Sequence, residues 1–380
     1  MAKKIIISGI GPGPAGVGRV LEYLIENSQN FSFVYPAMGR KISIKDCILK
    51  LEFLKLFLCF VLIFKYYCKT IFYNSKLYFF KNKDLIVLHP QSIGFRKLER
   101  LIKRNNLSIY VMDNNFFCIK SYNYLKSIEK PCLLCLDMQY NNAVKNSCDS
   151  FPVYYSYEEY FDFLNVIKAN IDKINFLTQN FGQKELLKKQ FGENLLIREV
   201  GLLTSDLFED SKLWVSENCK KYDVVFHGDS NSAKGSKYIY ELAKYLPEYI
   251  FLFPFESQFE EKIDNVEFVK MSWTTGLKEC VLNSKLTLCP SIWSAPIEGS
   301  VLKTLKLGVA LGIFDAEYSF GKEIPDDSVL RLSGNITNDV ALIRQFITLK
   351  SYTSVGIKGK NYINKKVAKM TLTYNEIFNS

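Results

Sequence analysis

A chain of 380 residues is too long for one ordinary hydrophobic core and suits two domains. Its composition, 48% hydrophobic and 23% charged, can bury large cores. The net charge of +10 predicts an anionic partner such as an anionic lipid surface or a phosphorylated substrate. Nucleic acid is not expected as a partner, because no nucleic-acid-binding motif or basic stripe accompanies the charge.

Predicted strands and helices alternate along the chain in two successive series. The first predicts strands at Lys4–Ser8, Phe31–Tyr35, Leu85–His89, Ser108–Met112 and Asn175–Thr178, with helices at Val17–Asn27, Ile44–Phe72 and Arg96–Lys103. The second predicts strands at Asp223–His227, Tyr249–Pro254, Val266–Met271, Leu286–Cys289 and Val309–Phe314, with helices at Lys237–Tyr245, Leu277–Asn283 and Val301–Leu307. This alternation is typical of a parallel sheet covered by helices, so we expect an α/β protein of two Rossmann-like domains whose parallel sheets face a cleft.

The pattern breaks between Gly201 and Tyr222, which predicts a hinge there. We therefore expect an N-terminal domain over residues 1–205 and a C-terminal domain over residues 206–360. Asn361 to Phe378 has a helical pattern, and this last segment, residues 361–380, is expected to pack back on the N-terminal domain.

The segment Leu49 to Phe80 is apolar, aromatic and basic. Its longest unbroken apolar run, Leu56 to Phe64, is about half of the roughly 20 residues that a membrane-spanning helix needs. Two interpretations remain open: a helix lying on an anionic membrane face, with Lys65, Lys69 and Lys76 among its aromatic residues, or a buried core helix with lysines at its ends.

The ten cysteines are scattered, and Met1-Ala-Lys-Lys leads directly into the first predicted strand without a secretory signal. We therefore expect a cytoplasmic protein, peripheral at the inner face of the cell membrane, with free thiols or a metal site. Cys132 and Cys135 form a C-x2-C pair flanked by Cys118 and Cys148, and four thiolates could hold a structural zinc ion. The alternative is that these cysteines are small buried apolar residues.

A glycine-rich loop follows the first predicted strand and contains Gly11, Gly13, Gly16 and Gly18, then Arg19. Its spacing matches the dinucleotide fingerprint, but Pro12 and Pro14 remove backbone donors, so a loop facing a cleft is the better interpretation. His89 ends another predicted strand, and Asp113 follows the next one. Ligands bind at this edge of open α/β sheets, although a structural histidine is the alternative for His89.

Two loops in the second series suit a diphosphate. The loop that contains Gly228 and Lys234-Gly235 places a lysine between a strand and a helix. The block from Cys289 to Gly308 is a buried strand, a loop with Ser291, and a helix that begins near Glu298-Gly299-Ser300. Free N–H groups and the helix dipole there favour an anion, and the carboxylate can accept hydrogen bonds from hydroxyl groups. Together these features suit a sugar nucleotide.

These motifs resemble those of GT-B glycosyltransferases, and in particular the retaining group 1 (family 4-like) enzymes of bacterial surface polysaccharide synthesis. The resemblance rests on Gly228-x5-Lys234-Gly235, on Leu286 to Ser291 followed by Glu298-Gly299, and on Leu195 to Gly201. It implies that Lys234 and the backbone at Glu298–Ser300 hold the diphosphate, that Glu298 binds hydroxyls, and that His89 lies across the cleft. It also implies that the Gly11–Gly18 loop lies on the acceptor side. It further implies that catalysis needs no metal. The family's second glutamate is absent, since lysines occupy both candidate positions, Lys303 and Lys306.

The sequence therefore predicts a glycosyltransferase. We expect it to move a sugar from a UDP-, GDP- or dTDP-sugar to a lipid-linked or polysaccharide acceptor, as in lipopolysaccharide synthesis. The expected catalytic residues are Glu298, His89 and Lys234. Two alternatives remain: a sugar-nucleotide epimerase of the same fold, or a catalytically degenerate binding protein, which the missing second glutamate favours.

Overall fold

A computed structural model describes residues 4–14, 16–37, 53–208 and 221–379, with side chains from Phe60 onward in the helix that begins at Phe53. The described part of the first half forms a six-stranded sheet in the order β2-β1-β3-β4-β7-β8, with all neighbouring strands parallel. These strands are β1 (Lys4–Ser8), β2 (Phe31–Val34), β3 (Asp84–Leu88), β4 (Asn106–Tyr110), β7 (Ile174–Thr178) and β8 (Leu196–Glu199). A small antiparallel hairpin, β5 (Tyr124–Leu125) and β6 (Lys130–Pro131), lies outside this sheet.

Helices fill the connections of the first half. They are α1 (Gly16–Asn27), α2 (Phe53–Phe79), α3 (Pro90–Ile93), α4 (Phe95–Arg104), α5 (Asn141–Lys145), α6 (Tyr157–Ala169) and α7 (Phe181–Phe191). The first turn of α6 is fixed by a capping box, in which Ser156 and Glu159 bond to each other's backbone N–H.

The described part of the second half forms another six-stranded parallel sheet, in the order β11-β10-β9-β12-β13-β14. Its strands are β9 (Tyr222–Phe226), β10 (Phe251–Phe253), β11 (Val266–Phe268), β12 (Ser284–Leu288), β13 (Leu311–Phe314) and β14 (Leu330–Leu332). Its helices are α8 (Ser236–Ala243), α9 (Leu277–Leu282), α10 (Gly299–Leu307), α11 (Ile336–Thr348) and α12 (Tyr352–Phe378). The two parallel sheets confirm the predicted α/β class and its two Rossmann-like halves.

The long helix α12 connects the two halves. Near its start, Gly356 packs so closely on the Gly308 carbonyl that a Cβ would overlap it. Near its end, the Tyr374 and Tyr110 hydroxyls are hydrogen-bonded at 2.6 Å, and the rings of Phe378 and Phe31 lie 5.9 Å apart. A shared hydrophobic core with residues from both halves runs along this helix. The helix begins nine residues before the predicted Asn361, so its first turns belong to the second half.

Helix α2 is mostly exposed over its described side chains, with Tyr73 and Leu77 buried against the first half. The interpretation as a buried core helix is therefore wrong for residues 60–79. The first part of the predicted helix, residues 44–52, lies outside the described residues. Within the described residues, no helix combines the length and hydrophobicity that crossing a membrane requires.

Candidate functional site

The strand orders mark one ligand-binding edge in each half. In the second sheet, β9 lies between β10 and β12, so the chain leaves these central strands in opposite directions and opens a crevice at their carboxyl ends. The loops after β9 and β12 line this crevice and carry Gly228, Lys234, Ser291 and Glu298. In the first sheet, β1 and β3 are adjacent in the same way, and His89 follows β3.

Lys234 and Glu298 form an ion pair at the crevice of the second half. The side chains are only 19% and 9% exposed, and Lys234 donates through Nζ to Glu298 Oε1. The Ser291 hydroxyl lies 2.8 Å from both carboxylate oxygens of Glu298. Burial lowers the pKa of Lys234, but Glu298 above all, together with Tyr122 and Asp229, raises it by more, so the pKa lies above its usual value and the ammonium stays charged.

Local backbone geometry brings these groups together. Gly235 has a φ of +80° beside the Pro290 carbonyl, where a Cβ would overlap the oxygen, so glycine is required between Lys234 and α8. Glu298 is the residue that precedes α10 and makes no capping bond with its side chain. Gly299 and Ser300 open the helix, and a Cβ on Gly299 would meet no atom within 4 Å. The N–H groups in the first turn of a helix have no intrahelical acceptor, so this end of α10 suits an anion.

Two aromatic rings enclose Lys234, one from each half. Its Nζ lies 5.1 Å from the ring centroid of Trp293 and 5.7 Å from that of Tyr122, and the two rings meet edge to face at 4.6 Å. Burial is the largest cause of the raised pKa of Tyr122, Lys234 opposes the rise, and Glu298 and Asp113 add to it. The contacts of Tyr122 with Lys234 and Trp293 thus place a loop of the first half beside the crevice of the second.

A buried amide network joins the halves beside these rings. Asn123 donates to the Ser294 hydroxyl at 2.7 Å and accepts from the Ser294 N–H at 3.0 Å. Asn114 donates to Asn123 Oδ1 at 2.8 Å and to the Ser294 carbonyl at 2.9 Å. All three residues are at most 1% exposed, so these bonds fix the Trp293 loop against the first half.

His89, Gln91 and Asp113 form a second polar group at the edge of the first sheet. Gln91 Nε2 lies 3.3 Å from His89 Nε2 and donates to Asp113 Oδ2 at 2.6 Å. Burial lowers the pKa of His89 to about 4 and raises that of Asp113 to about 6. The imidazole is therefore neutral at physiological pH, and the carboxyl group titrates just below it. His89 Nδ1 and Gln91 Oε1 are buried without a partner among the described residues.

The glycine-rich loop reaches this edge, but its basic residue has a different partner. A Cβ on Gly13 or Gly16 would meet no atom within 4 Å, so this part of the loop faces open space, whereas Gly18 packs on the backbone of Gly11 and Gly13. Arg19 pairs with Asp206, which lies just after the first half. Arg19 thus ties α1 to the connection between the halves.

The predicted zinc site is not formed. Within the described residues, no three His, Cys, Asp or Glu side chains are placed to hold a metal ion, and all four cysteines belong to that part of the chain. Cys118 and Cys148 are each 8% exposed, and the Cys118 thiol donates to the Tyr122 carbonyl. Burial is the largest cause that raises the pKa of Cys135, to about 12.

Sequence reasoning missed Tyr122, Asn123 and Trp293, which bring the halves together. It also missed Gln91, which lies between His89 and Asp113 within the first half. Trp293 lies inside the block already singled out, and Gln91 is two residues from His89, so proximity to those motifs was a usable signal. Tyr122 and Asn123 carry no such signal, because only the fold brings them to Trp293. The second histidine, His227, is stacked on Trp273 at 5.2 Å and lies 3.0 Å from the Thr304 hydroxyl, which indicates a structural role.

No protein-family model matches the sequence, and no curated protein matches it. Solved structures do match. Anabaena HepE in complex with UDP and glucose superposes with a TM-score of 0.62 at 10% identity over 100% of both chains. WaaG, a glycosyltransferase involved in lipopolysaccharide biosynthesis, gives 0.55 at 10% identity over 95% of both chains. TarM gives 0.55 at 17% identity over 82% of this chain, which spans only 57% of TarM.

Identities this low show the architecture, and the architecture agrees with the two crevices described above. The chain therefore has the GT-B fold, with two Rossmann-like halves like those of HepE, WaaG and TarM.

Proposed function

We propose that this protein is a glycosyltransferase that takes a sugar from a nucleotide-sugar donor. The observation that carries the proposal is the Lys234–Glu298 pair at the first turn of α10, at the carboxyl ends of β9 and β12. A buried ammonium beside free helix N–H groups suits a diphosphate, and a carboxylate suits sugar or ribose hydroxyls. HepE has been solved with UDP-glucose, which supports a uridine nucleotide as the first donor to test.

The proposed roles of Lys234, Glu298 and the α10 N–H groups follow from the charge that develops during the transfer. When the bond between the anomeric carbon and the diphosphate oxygen breaks, negative charge grows on the leaving diphosphate, and Lys234 and the α10 N–H groups stabilise it. The anomeric carbon bonds to the acceptor oxygen, whose proton passes to the leaving diphosphate. Arrival of the diphosphate draws Lys234 away from Glu298, which Ser291 continues to hold. Glu298 then accepts hydrogen bonds from the donor's hydroxyls.

His89 and Asp113 belong to the acceptor side of the proposed cleft. A neutral imidazole with a buried, unpartnered Nδ1 can exchange a hydrogen bond with a sugar hydroxyl without carrying charge. We propose retention of the anomeric configuration, which the motif resemblance supports. Proton NMR of the first product formed tests it, because the anomeric coupling distinguishes the two configurations.

A panel of UDP-, GDP- and dTDP-sugars tests the proposal. We expect at least one donor to raise the melting temperature and to release its nucleoside diphosphate when an acceptor extract is added. The Lys234→Met/Glu298→Gln double variant, which removes the pair without leaving one charge buried alone, should fold and lose both effects. A thermal shift without transfer would favour the degenerate binding protein, and conversion of the donor sugar without transfer would favour the epimerase. No shift with any donor would contradict nucleotide-sugar binding.

We further propose that the acceptor is lipid-linked and that α2 lies on the membrane that carries it. Phe60, Phe64, Tyr67 and Ile71 recur on one face of α2 and are 57%, 72%, 61% and 65% exposed. The exposed residues Lys65, Lys69 and Lys76 form a second row, which suits anionic headgroups.

Flotation with phosphatidylcholine vesicles, with and without phosphatidylglycerol, tests this placement. The protein should float with the anionic vesicles, less so in high salt, and Phe64→Ala/Ile71→Ala should remain at the bottom. Phe181→Ala is the matched control, because Phe181 is 55% exposed on another helix of the same half. Equal flotation of the double variant and the wild type would contradict docking through α2.

A further inference from the structure

A cavity of about 610 Å³ lies in the first half, outside the diphosphate site. It opens between the start of α4, the first turns of α6 and the segment that contains Tyr154. Its volume is within the usual range for small-molecule sites. Gln91, which contacts both His89 and Asp113, lines one side of it. The cavity therefore borders the polar group that we place on the acceptor side.

The floor of the cavity is a rigid aromatic cluster. Phe95 stacks on Phe163 with ring centroids 4.2 Å apart and meets Tyr155 edge to face at 4.8 Å. The Tyr155 hydroxyl donates to the Ile119 carbonyl at 3.0 Å and accepts from Asn115 at 2.7 Å. Because these contacts fix the rings, a ligand meets a preformed apolar surface and orders little on binding.

The rim carries polar and aromatic groups that face solvent. Tyr154 is 90% exposed, which is unusual for so large an aromatic side chain. Glu158 and Asp162 lie one turn apart on α6, and both are exposed. At the inner end, Gln91 is 3% exposed, and its Oε1 has no partner among the described residues. A buried amide oxygen without a donor is costly unless a ligand supplies one.

The charged residues that line the cavity favour an uncharged ligand over an anionic one. Among the described residues that line the cavity, four are carboxylates and two are cations, although the whole chain is basic. Glu159 is occupied by its capping bond to Ser156, and Lys97 donates to Asn74 on α2. A phosphate or a uronic acid would meet a surplus of negative charge here. Hydroxyl groups, in contrast, can donate to carboxylates and to the Gln91 oxygen, while the C–H face of a sugar ring packs on aromatic rings.

We infer that this cavity binds an uncharged sugar unit of the acceptor glycan. The inference deepens the proposed function, and it rests on that function only for the identification of the sugar as part of the acceptor. The binding site itself is carried by the aromatic floor, the unpartnered Gln91 oxygen and the net negative lining. In this proposal the basic residues bind anionic lipids and the nucleotide. The cavity binds the acceptor sugar through its hydroxyl groups.

Saturation-transfer NMR without nucleotide tests the site. The probes are lactose, cellobiose and N,N′-diacetylchitobiose as uncharged disaccharides, and a heparin disaccharide as the anionic one. We expect at least one uncharged probe to bind, the anionic probe to give no signal, and Tyr154→Ala to bind the uncharged probe about tenfold more weakly. Glu158→Gln/Asp162→Asn should also weaken it, and Tyr245→Ala, which truncates a tyrosine 59% exposed in the second half, should not.

Each contrary result overturns the inference. These are the absence of signal from every uncharged probe, equal binding by the wild type and Tyr154→Ala, or tighter binding of the heparin disaccharide. Failure of all nucleotide sugars to bind would refute the proposed function but not this site, because the probes contain no nucleotide.

Discussion

Replacing Asp113 by asparagine should stabilise the protein at neutral and alkaline pH. Burial raises the pKa of Asp113 from its usual 3.8 to about 6, so the folded state holds this proton more tightly than the unfolded state. As the pH rises from about 4 to 6, the unfolded chain ionises first and gains stability relative to the folded one. Two pKa units correspond to roughly 3 kcal/mol, so the charged carboxylate costs the folded state about that much above pH 7.

Asparagine avoids this cost and can keep both hydrogen bonds. Its oxygen can accept from the Asn115 N–H, and its amide can donate to the currently unpartnered Oε1 of Gln91 once that side chain turns over. The difference in unfolding free energy between Asp113→Asn and the wild type should therefore increase by about 1 kcal/mol from pH 4 to 5 and flatten above pH 7.

Urea unfolding of both proteins at several pH values from 4 to 8 measures the difference in unfolding free energy. The contributions of the other titrating groups cancel in this difference, because both proteins contain them. Asp172→Asn is the control for loss of a carboxylate, since Asp172 is exposed in the same half. A difference for Asp113→Asn that is independent of pH would refute the argument that burial controls this carboxyl group.

Three other predictions concern the contact between the halves, the glycine that follows the first strand, and the cysteines. Asn123→Ala should lower the free energy of unfolding by about 1–3 kcal/mol in urea titrations, because it removes the acceptor of the buried Ser294 N–H and two further buried hydrogen bonds, and an unchanged midpoint would contradict this. Gly9→Ala should cost about 1–3 kcal/mol in the same assay, because its Cβ would overlap the His89 carbonyl oxygen; wild-type stability would argue against that packing. EDTA should leave the melting temperature unchanged, since the four cysteines are not placed to hold a metal ion in the described part of the chain, and a drop would restore the zinc interpretation.

The sequence predicted most of the central strands, because a strand buried on both faces is a short apolar run that stands out from its neighbours. It missed the edge strands β8 and β14. In β8 the exposed Leu196 and Arg198 replace the continuous apolar run, since one side of an edge strand meets solvent. Helix α12 was predicted too short because its first turns, with Gly356 and Gly359, lack an apolar pattern and are held by close packing on α10.

For the candidate site, the sequence could identify groups that follow strands, because parallel strands end at a common edge. Lys234, Glu298 and His89 were predicted in this way, and the structure places each of them after the carboxyl end of a strand. It could not show that Glu298 neutralises Lys234, nor that Tyr122 encloses the pair from the other half. The first contact depends on how two loops of the second half fold, and the second depends on how the two halves pack. The spacing of residues in the sequence predicts neither.

Isothermal titration of the nucleoside diphosphate of the best donor tests the central claim most directly. The claim is that Lys234 and the first turn of α10 hold the diphosphate. A charge-assisted hydrogen bond is worth about 1.5–3 kcal/mol, so Lys234→Met/Glu298→Gln should bind at least about tenfold more weakly than the wild type. The control Lys244→Met, which removes an ion-paired lysine distant from α10 in sequence and on the surface of the same half, should bind normally. Equal affinity of the double variant and the wild type would contradict the account.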